Sequence, residues 1–338
     1  MRCIVFVITT LIVHLSEATT GGGKAPKIPL NDGNSIPALG LGTFLGFSQK
    51  GQKEVKPGDS EKPVKWALEA GYRLIDTAAL YLNEDQIGAA VRASGIPRED
   101  IFIVTKLPMD NQRDVVKQLE KSLARLNMSY VDLYLIHNPV AFNPGFKGFD
   151  IVDYLDTWKG MEEAKNLGLA KSIGISNFNT TQIDRILENG QIKPSVLQVE
   201  VNLHLGQDKL IDYCKRNGIV VMAFSPFGPM FHDSLPSIRP DDPTLVAIAE
   251  KHGKSVTQIV LRYLIQKGVV PIPKSVKKNR IEENIDVFDF NLSSEDMNKI
   301  GTFNKEKRTV GMSFWQDHPY YPFEKSDQVH DNPFESAN

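Results

Sequence analysis

The sequence predicts an α/β protein: one (β/α)8 TIM barrel with an N-terminal β-hairpin and a C-terminal substrate loop. Short runs rich in β-branched residues alternate with longer segments of helical periodicity, and eight such units follow one another. No linker or low-complexity segment divides them. Because strand–helix alternation requires parallel strands with right-handed crossovers, eight unbroken units favour a closed barrel over two doubly wound domains.

The elements are predicted in the following order. A hairpin is expected from Lys27–Leu30 and Ser35–Ala38 around the turn Asn31–Asn34. The eight barrel strands are predicted at Leu39–Thr43, Tyr72–Asp76, Ile101–Lys106, Val131–His137, Ser172–Ser176, Val196–Val199, Val220–Phe224 and Val269–Pro273. Helices are predicted, among other places, at Glu61–Ala70, Gln86–Ala93, Asp114–Leu126, Tyr154–Asn166, Gln207–Asn217 and Val256–Gln266. The barrel domain is predicted to span residues 27–338, with long loops at 44–60 and 226–242.

The N-terminal segment is typical of a secretory signal peptide. Arg2 precedes the apolar run Cys3–Leu15, and Ala18 supplies a small residue for cleavage, so we expect residues 1–18 to be removed. A buried N-terminal strand is the alternative. The Gly/Thr-rich residues 19–26 are predicted to be flexible. The protein is therefore expected to be secreted.

The charge, the cysteines and the glycosylation sequons limit the kinds of partner and environment that we expect. A formal net charge of −2 argues against a general nucleic-acid or anionic-membrane surface, and the protein is expected to be a monomer. With Cys3 in the signal peptide, Cys214 remains alone and no internal disulfide can form. Three glycosylation sequons fit export: Asn127, Asn179 and Asn291. Asn179 is the favoured site, whereas Asn127 is expected to be hidden because it precedes a buried strand.

Polar residues fall where the predicted strands end. Strands two, three and four end in Asp76, Lys106 and His137, and Tyr81 follows strand two. In a parallel barrel these ends share one face, where active sites lie. Each residue also has a simpler interpretation, as a helix cap, a solvated lysine or a packed core histidine. Four such coincidences on one rim are less probable than a site.

These four residues suit carbonyl reduction. Tyr81 can protonate the substrate oxygen, and a neighbouring Lys106 ammonium should lower the pKa of the tyrosine toward neutrality. Asp76 would keep Lys106 charged, and His137 would polarise the carbonyl. The residues do not follow a metal-ligand spacing, and no metal is expected.

Five motifs resemble the aldo-keto reductase family, in the same order along the chain. They are Leu39-Gly-Leu-Gly-Thr43, Gly71-Tyr-Arg-Leu-Ile-Asp-Thr-Ala78 with Tyr81, Asp132-Leu-Tyr-Leu-Ile-His137, Ser172-Ile-Gly-Ile-Ser-Asn-Phe178 and Pro273-Lys-Ser-Val276. The likeness extends from about Lys27 to Phe323. It implies that Asp76, Tyr81, Lys106 and His137 form the family's catalytic tetrad.

The resemblance also implies an NADPH site, although the chain lacks a Rossmann Gly-x-Gly-x-x-Gly fingerprint after a strand. Contacts with the nicotinamide, the pyrophosphate, the 2′-phosphate and the adenine are expected from Thr43, Ser176, Asn177, Gln198, Phe224, Ser225, Phe227, Lys274, Ser275, Val276, Arg280, Glu283 and Asn284. Phe224 replaces a common tyrosine, but its ring can still stack. Independently, Lys274, Ser275 and Arg280 at a predicted helix start suit a phosphate dianion.

The substrate is less determined. Expected substrate contacts are Phe44, Tyr81, His137, Asn138 and Trp315, whereas the tail aromatics could instead pack on the barrel. Asn138 replaces the tryptophan of aldose-reductase-like members, which argues against small aldoses. An exported member is most similar to insect 3-dehydroecdysone 3β-reductases, which predicts a steroid ketone substrate reduced to ecdysone. The alternatives are a broad aldehyde and xenobiotic carbonyl reductase, and a secreted binding protein without turnover.

Overall fold

The computed structural model describes residues 23–48, 51–231 and 238–328 of the 338-residue chain. The predicted signal peptide, Met1–Ala18, lies outside the described residues, as do residues 19–22. Residues 23–26 were expected to be flexible, but they pack against the barrel. The Lys24 N–H donates to Gly71 O at 3.0 Å, and the side chain of Ala25 is buried. The packed chain therefore begins before Lys27.

The strands of the described residues form one large sheet and three hairpins. In chain order they are β1 Lys27–Pro29, β2 Ser35–Pro37, β3 Leu41–Gly42, β4 Phe47–Ser48, β5 Gly51–Gln52, β6 Leu74–Asp76, β7 Phe102–Leu107, β8 Val131–Ile136, β9 Ala141–Phe142, β10 Phe149–Asp150, β11 Ala170–Ser176, β12 Val196–Glu200, β13 Val220–Phe224 and β14 Val269–Pro271. Strands β1 and β2, β4 and β5, and β9 and β10 pair as antiparallel hairpins.

The large sheet is a closed parallel barrel in the order β3-β6-β7-β8-β11-β12-β13-β14. The Gly40 and Gly42 N–H groups donate to Pro271 O and Pro273 O, both at 3.1 Å, which joins the first strand to the last. All eight predicted strands are confirmed in their predicted positions. The fourth ends at Ile136 and not at His137, and the eighth at Pro271, since Pro273 has no N–H to continue the ladder.

Helices follow the barrel strands on the outside. They are α1 Glu61–Ala70, α2 Glu84–Ala93, α3 Val115–Leu126, α4 Tyr154–Asn166, α5 Thr180–Asn189, α6 Asp208–Arg216, α7 Pro243–His252, α8 Val256–Gln266, α9 Lys278–Ile285 and α10 Ser294–Gly301. Three of the predicted helices, α1, α4 and α8, have the predicted bounds. The bounds of α2 and α3 differ at their starts by two residues and one residue, and those of α6 by one residue at each end. No helix within the described residues is long and apolar enough to cross a membrane.

The hairpin of β1 and β2 closes the base of the barrel. Gly33, in the left-handed region at φ 87°, makes the turn, and the Leu30 N–H donates to Asn34 O at 2.8 Å. Leu30 and Ile36 join the apolar cluster inside the barrel, with Leu74 and Leu133 among its members. The base is thus filled by side chains, which leaves the opposite end of the barrel for a site.

The accessibility of the three glycosylation sequons differs from the expectation. Asn127 is exposed at the end of α3, at φ 52°, so the expectation that it is hidden is wrong. Asn179 caps α5 by accepting the Gln182 N–H at 3.0 Å, and its Nδ2 donates to Pro322 O at 3.2 Å. Asn291 is exposed. The structure therefore reverses the expected order of accessibility.

Candidate active site

The four titratable residues form the top layer of the barrel interior. Side chains on a strand alternate between its two faces, so a residue two positions after an inward-facing one also points inward. Leu74, Val104 and Leu135 belong to the apolar cluster inside the barrel, and Asp76, Lys106 and His137 follow each of them by two positions. The strand register therefore brings all three polar side chains to the mouth.

Lys106 lies at the centre of the group and is fully buried. Its Nζ donates to Asp76 Oδ1 at 2.7 Å, to Thr77 O at 2.9 Å and to Tyr81 Oη at 3.2 Å. Burial acts to lower the pKa of Lys106, but Asp76 and Tyr81 outweigh it, so the pKa is raised above its usual 10.5. The ammonium therefore remains charged, and the expected pairing with Asp76 is present.

Tyr81 ends a 3-10 turn, Ala79–Tyr81, directly after β6. Burial raises the pKa of Tyr81 above its usual 10.0, and the opposing effect of Lys106 is smaller. The expectation that Lys106 brings this pKa toward neutrality is wrong for the described structure, because desolvation of the phenolate dominates. Tyr81 thus keeps its proton at neutral pH. Since Lys106 donates to the phenol oxygen, that proton is free to be given to another acceptor.

His137 faces Tyr81, with ring centroids 5.7 Å apart and the planes at 77°. Burial, and then the Lys106 charge, lower the pKa of His137 well below its usual 6.5, so the imidazole is neutral. Its Nδ1 has no hydrogen-bond partner among the described residues. The Asn177 Nδ2 fixes the backbone by donating to His137 O at 3.0 Å. A neutral imidazole can donate one N–H to a carbonyl oxygen.

Residues expected to hold the nicotinamide adjoin this group. The Gln198 Nε2 donates to Asp76 Oδ2 at 2.7 Å, and the Thr43 Oγ1 donates to Asp76 O at 2.9 Å. Asn177 is buried and its Nδ2 donates to Ser176 Oγ at 3.2 Å. The Asn177 Oδ1 has no partner among the described residues. A buried acceptor without a donor fits the carboxamide NH2 of a nicotinamide.

The expected phosphate-binding residues lie beside the start of α9. Lys274, Val276 and Arg280 are exposed, and Ser275 is half-buried, with its Oγ accepting the Lys277 N–H at 3.1 Å. Partial desolvation by the surrounding residues, and then the charge of Lys53, lower the pKa of Lys274 below its usual 10.5. A bound phosphate dianion would stabilise the charged forms of both lysines, Lys274 and Lys53.

The remaining expected cofactor contacts are divided between two elements. Phe224 ends β13 and is half-buried, Ser225 follows it exposed at φ 47°, and Phe227 is half-buried. Asn284 is buried in α9. Glu283 accepts from the Ser255 and Thr257 hydroxyls at the start of α8, so this carboxylate is already oriented.

The expected substrate contacts separate into two groups. Phe44 is half-buried, and its ring centroid lies 4.9 Å from that of Tyr81. Trp315 is only 1% exposed and packs on Phe142 and Phe314, so it serves as packing in the described structure. Asn138 is fully buried and organises its own loop. Its Oδ1 accepts the Val140 N–H at 3.0 Å, and its Nδ2 donates to Met312 Sδ at 3.4 Å.

The sequence did not indicate Asn83, a fully buried residue that joins the mouth loops. Its position before α2 reads as a helix cap, but its side chain makes no capping bond. Instead it accepts from the Thr77 Oγ1 at 2.7 Å and donates to Thr43 O at 3.0 Å and to Ser60 Oγ at 2.9 Å. Long-range bonds of this kind leave no local sequence pattern.

A polar cleft at the base of the barrel is a second concave feature. It encloses about 250 Å3 and is lined by Lys27, Asp132 and Lys171 among others. It contains none of the residues predicted for the site. A much smaller cleft is lined by Thr43, Lys274 and Ser275, which are predicted to contact the cofactor. Its Asp132 carboxylate pairs with Arg98 at 2.8 Å. We assign the site by its side chains and not by cleft size.

Comparison with known proteins agrees with this geometry. Residues 38–305 match the Aldo/keto reductase family. Aldo-keto reductase AKR2E4 from Bombyx mori is 49% identical over 310 residues, which cover 88% of this chain and 99% of that protein. The crystal structure of AKR2E4 in complex with NADP matches with a TM-score of 0.84 at 48% identity, over 88% of this chain and 99% of that one.

A second solved structure extends the match. That of silkworm AKR2E5 complexed with NADPH has a TM-score of 0.87 at 40% identity, and the match covers 92% of this chain and 98% of that one. Barrel and site define a carbonyl-reducing oxidoreductase of the (β/α)8 class. The chain belongs to the aldo/keto reductase family.

Proposed function

We propose that this aldo-keto reductase reduces a bulky ketone with an apolar framework, using NADPH, and that the ketone is a steroid such as 3-dehydroecdysone, reduced to ecdysone. The observation that carries the proposal is the contact between Lys106 Nζ and Tyr81 Oη at 3.2 Å, inside a buried group that keeps the tyrosine protonated. The substrate class is supported by the apolar rim of the mouth.

The residues perform reduction as follows. When bound, NADPH supplies the hydride to the carbonyl carbon. Tyr81 gives its phenolic proton to the carbonyl oxygen, and Lys106 stabilises the phenolate that remains. The neutral His137 donates a hydrogen bond to the same oxygen as negative charge develops there. Asp76 holds Lys106 in place at 2.7 Å and stays outside the bond changes.

The cofactor assignment rests on two separate places in the chain. The unpaired Asn177 Oδ1 fits the nicotinamide amide, and Lys274 with Arg280 fits the 2′-phosphate. Among the described residues Arg280 takes part in no ion pair, so its charge is available to a ligand. NADPH is therefore the cofactor, in preference to NADH.

The rim supports a large apolar substrate. Phe47, Leu82 and Phe231 follow barrel strands at the mouth end and are 43%, 71% and 51% exposed. Large apolar side chains that are exposed to solvent beside a site are typical of binding surfaces. Phe44 connects Phe47 to the chemistry, since its ring lies 5.2 Å from that of Phe47 and 4.9 Å from that of Tyr81.

A broad aldehyde and xenobiotic carbonyl reductase is the second candidate. The observation that favours it is the same rim, because Phe47, Leu82 and Phe231 offer no hydrogen-bonding group that would select one apolar carbonyl over another.

A substrate panel separates the two. Purified protein is given NADPH with 3-dehydroecdysone, other steroid ketones and short aldehydes, and the loss of NADPH absorbance is followed. The steroid proposal predicts a kcat/KM for 3-dehydroecdysone at least about tenfold above that for the aldehydes, equivalent to about 1.4 kcal/mol. Equal values would favour the broad reductase. Failure to oxidise NADPH with any carbonyl would contradict both.

We also propose that the protein is exported, on the strength of the apolar run Cys3–Leu15. Cys214 supports survival in an oxidising compartment, because it is buried and burial raises the pKa of its thiol to about 12. A thiol that is neither exposed nor ionised is inert to oxidation and exchange.

A further inference from the structure

Glu200 is a fully buried carboxylate at the end of β12. It lies two positions after Gln198, on the same side of the strand. None of the ion pairs among the described residues involves Glu200, so its charge is met by hydrogen bonds alone. The Asn202 Nδ2 donates to its Oε1 at 3.0 Å.

The other donors to Glu200 come from the C-terminal tail. The Thr309 N–H lies 3.0 Å from Oε1, and the Val310 N–H lies 2.8 Å from Oε2. A buried carboxylate without a cation requires such donors, because desolvation penalises the charge. Thr309 itself is exposed, so hydrogen bonds and not apolar burial hold the tail at this point.

The tail reaches the mouth directly after this anchor. Met312 accepts from Asn138, the residue after His137. Trp315 packs in one cluster with Phe142, and Leu80, the residue before Tyr81, lies against that cluster. A shift of the tail at residues 309–310 would therefore move the side chains that border both the proton donor and the histidine.

We infer that Glu200 is a positioning residue: it fixes the tail as a wall of the substrate pocket and so favours bulky ketones. Its carboxylate bonds to Asn202, Thr309 and Val310, and to none of the four residues assigned to the chemistry. The inference rests on the proposed function, because that function makes the tail a substrate wall. Asp76 and its neighbours carry out the reaction, whereas Glu200 determines the shape of the substrate pocket above them.

The chain offers a matched control. Glu162 on α4 is also a buried carboxylate, and its Oε1 accepts two consecutive backbone N–H groups, those of Gln191 and Ile192, at 2.6 and 2.8 Å. Gln191 and Ile192 precede the start of β12, whereas Glu200 is at its end, so the two carboxylates belong to opposite ends of the barrel. Glu200→Gln and Glu162→Gln therefore neutralise the same kind of backbone-bonded carboxylate at opposite ends of the barrel.

Steady-state kinetics of the two variants test the role. Glu200→Gln should raise KM for the steroid ketone about tenfold, while kcat/KM for a short aldehyde and Kd for NADPH stay within about twofold. Glu162→Gln should leave all three parameters within about twofold of the wild type. Equal losses for ketone and aldehyde, or no loss in either, would overturn the inference. A wild-type protein that reduces no carbonyl would instead contradict the proposed function.

A second measurement needs no turnover. In the wild-type chain, hydrogen exchange should show the Thr309 and Val310 amides protected, although Thr309 is exposed. In Glu200→Gln, trypsin should cut faster after Lys307 and Arg308 than in Glu162→Gln or the wild type. Amides that exchange at the rate of unprotected backbone would refute the anchor, even if Glu200→Gln fails to fold.

Discussion

Each of the three protons on the Lys106 Nζ has its own acceptor, in Asp76, Thr77 and Tyr81. An ammonium placed this way keeps its charge inside the barrel, where an unpaired one would lose its proton. The charged lysine and the protonated tyrosine then occur together because their environments differ. Asp76 stabilises the cation, while desolvation disfavours the phenolate. The site is therefore set for proton donation at neutral pH.

The hydroxyl of Tyr81 is expected to be required for turnover and not for folding. Tyr81→Phe should reduce kcat for reduction by about 10²–10⁴-fold, the usual contribution of general acid catalysis, while Kd for NADPH changes little. Tyr134→Phe is the control, since Tyr134 is buried and its hydroxyl has no partner among the described residues. Its activity and stability should match the wild type. A Tyr81→Phe enzyme with more than about a tenth of the wild-type kcat would exclude Tyr81 as the acid.

His137 gives the site a pH-dependent stability. Its pKa in the folded protein lies below the 6.5 of an unfolded histidine, because of burial and Lys106. Below pH 6.5 the histidine of the unfolded chain binds a proton, whereas the native histidine stays neutral. The free energy of unfolding therefore decreases as the pH falls toward the folded pKa. The loss is at most about 1.4 kcal/mol per pH unit for one proton. Urea unfolding at pH 7 and pH 5 should show a smaller decrease for His137→Gln than for the wild type; identical decreases would disprove this.

Arg280 should select NADPH over NADH. Removing one charge-assisted hydrogen bond, worth about 1.5–3 kcal/mol, should weaken NADPH binding by roughly ten- to a hundredfold and leave NADH nearly unchanged. Because Arg280 is exposed on α9, the fold should be unaffected by Arg280→Ala. Lys278→Ala is the control, since Lys278 pairs weakly with Glu282 at 3.7 Å. Fluorescence titration with both cofactors would reveal equal losses if Arg280 were only structural.

At the scale of the elements, the sequence predicted the helix bounds that are determined by interactions between neighbouring residues. Helix α8 begins where Ser255 and Gln258 form a capping box, and its predicted and observed bounds agree. The predicted start of α2, Gln86, is two residues later than the observed Glu84, and Asn83 before it bonds to the mouth loops and makes no capping bond. Contacts such as that of Glu200 with Thr309 join residues 109 positions apart, and no window of sequence contains both. The anchor of the tail on Glu200 was therefore beyond prediction.

Helices α2 and α3 approach each other closely at Gly88. A Cβ there would lie 2.0 Å from Leu126 O, a backbone atom that cannot rotate away. Gly88→Ala should therefore cost about 1–3 kcal/mol in the free energy of unfolding, the usual range for overpacking. Gly301→Ala in α10 is the control, because its Cβ would meet only Tyr263 Oη at 3.6 Å. Urea unfolding that shows equal stabilities for the two variants would contradict the close contact.

At the scale of the molecule, the site could be predicted because the barrel topology alone brings its residues together. Parallel strands place their carboxyl ends on one face, so Asp76, Lys106 and His137 converge without any local contact between them. The same reasoning could not say that Trp315 and Asn138 are buried, because their environments depend on where the tail lies. Nor could it rank the sequons, since Asn179 is engaged by Pro322 across 143 residues.

Export is the last property to test, since it decides whether this reductase works inside or outside the cell. Chain recovered from the medium of a eukaryotic host is expected to begin near Thr19. Deleting Met1–Ala18 should leave the activity of a cytosolic preparation intact, because every residue assigned to the site lies beyond Gly42. N-terminal sequencing and NADPH oxidation provide the two measurements. Retention in the cytosol with Met1 attached would contradict export.

Glycan attachment gives an independent check of the same route. Asn127 and Asn291 are exposed, whereas both polar atoms of the Asn179 side chain are hydrogen-bonded, to Gln182 and Pro322. Glycosidase treatment of the exported protein should therefore increase its mobility, and Asn127→Gln or Asn291→Gln should reduce that shift. A shift that depends only on Asn179 would mean that the glycan is added before α5 acquires its cap. In that case accessibility in the folded barrel would not govern which sequon is used.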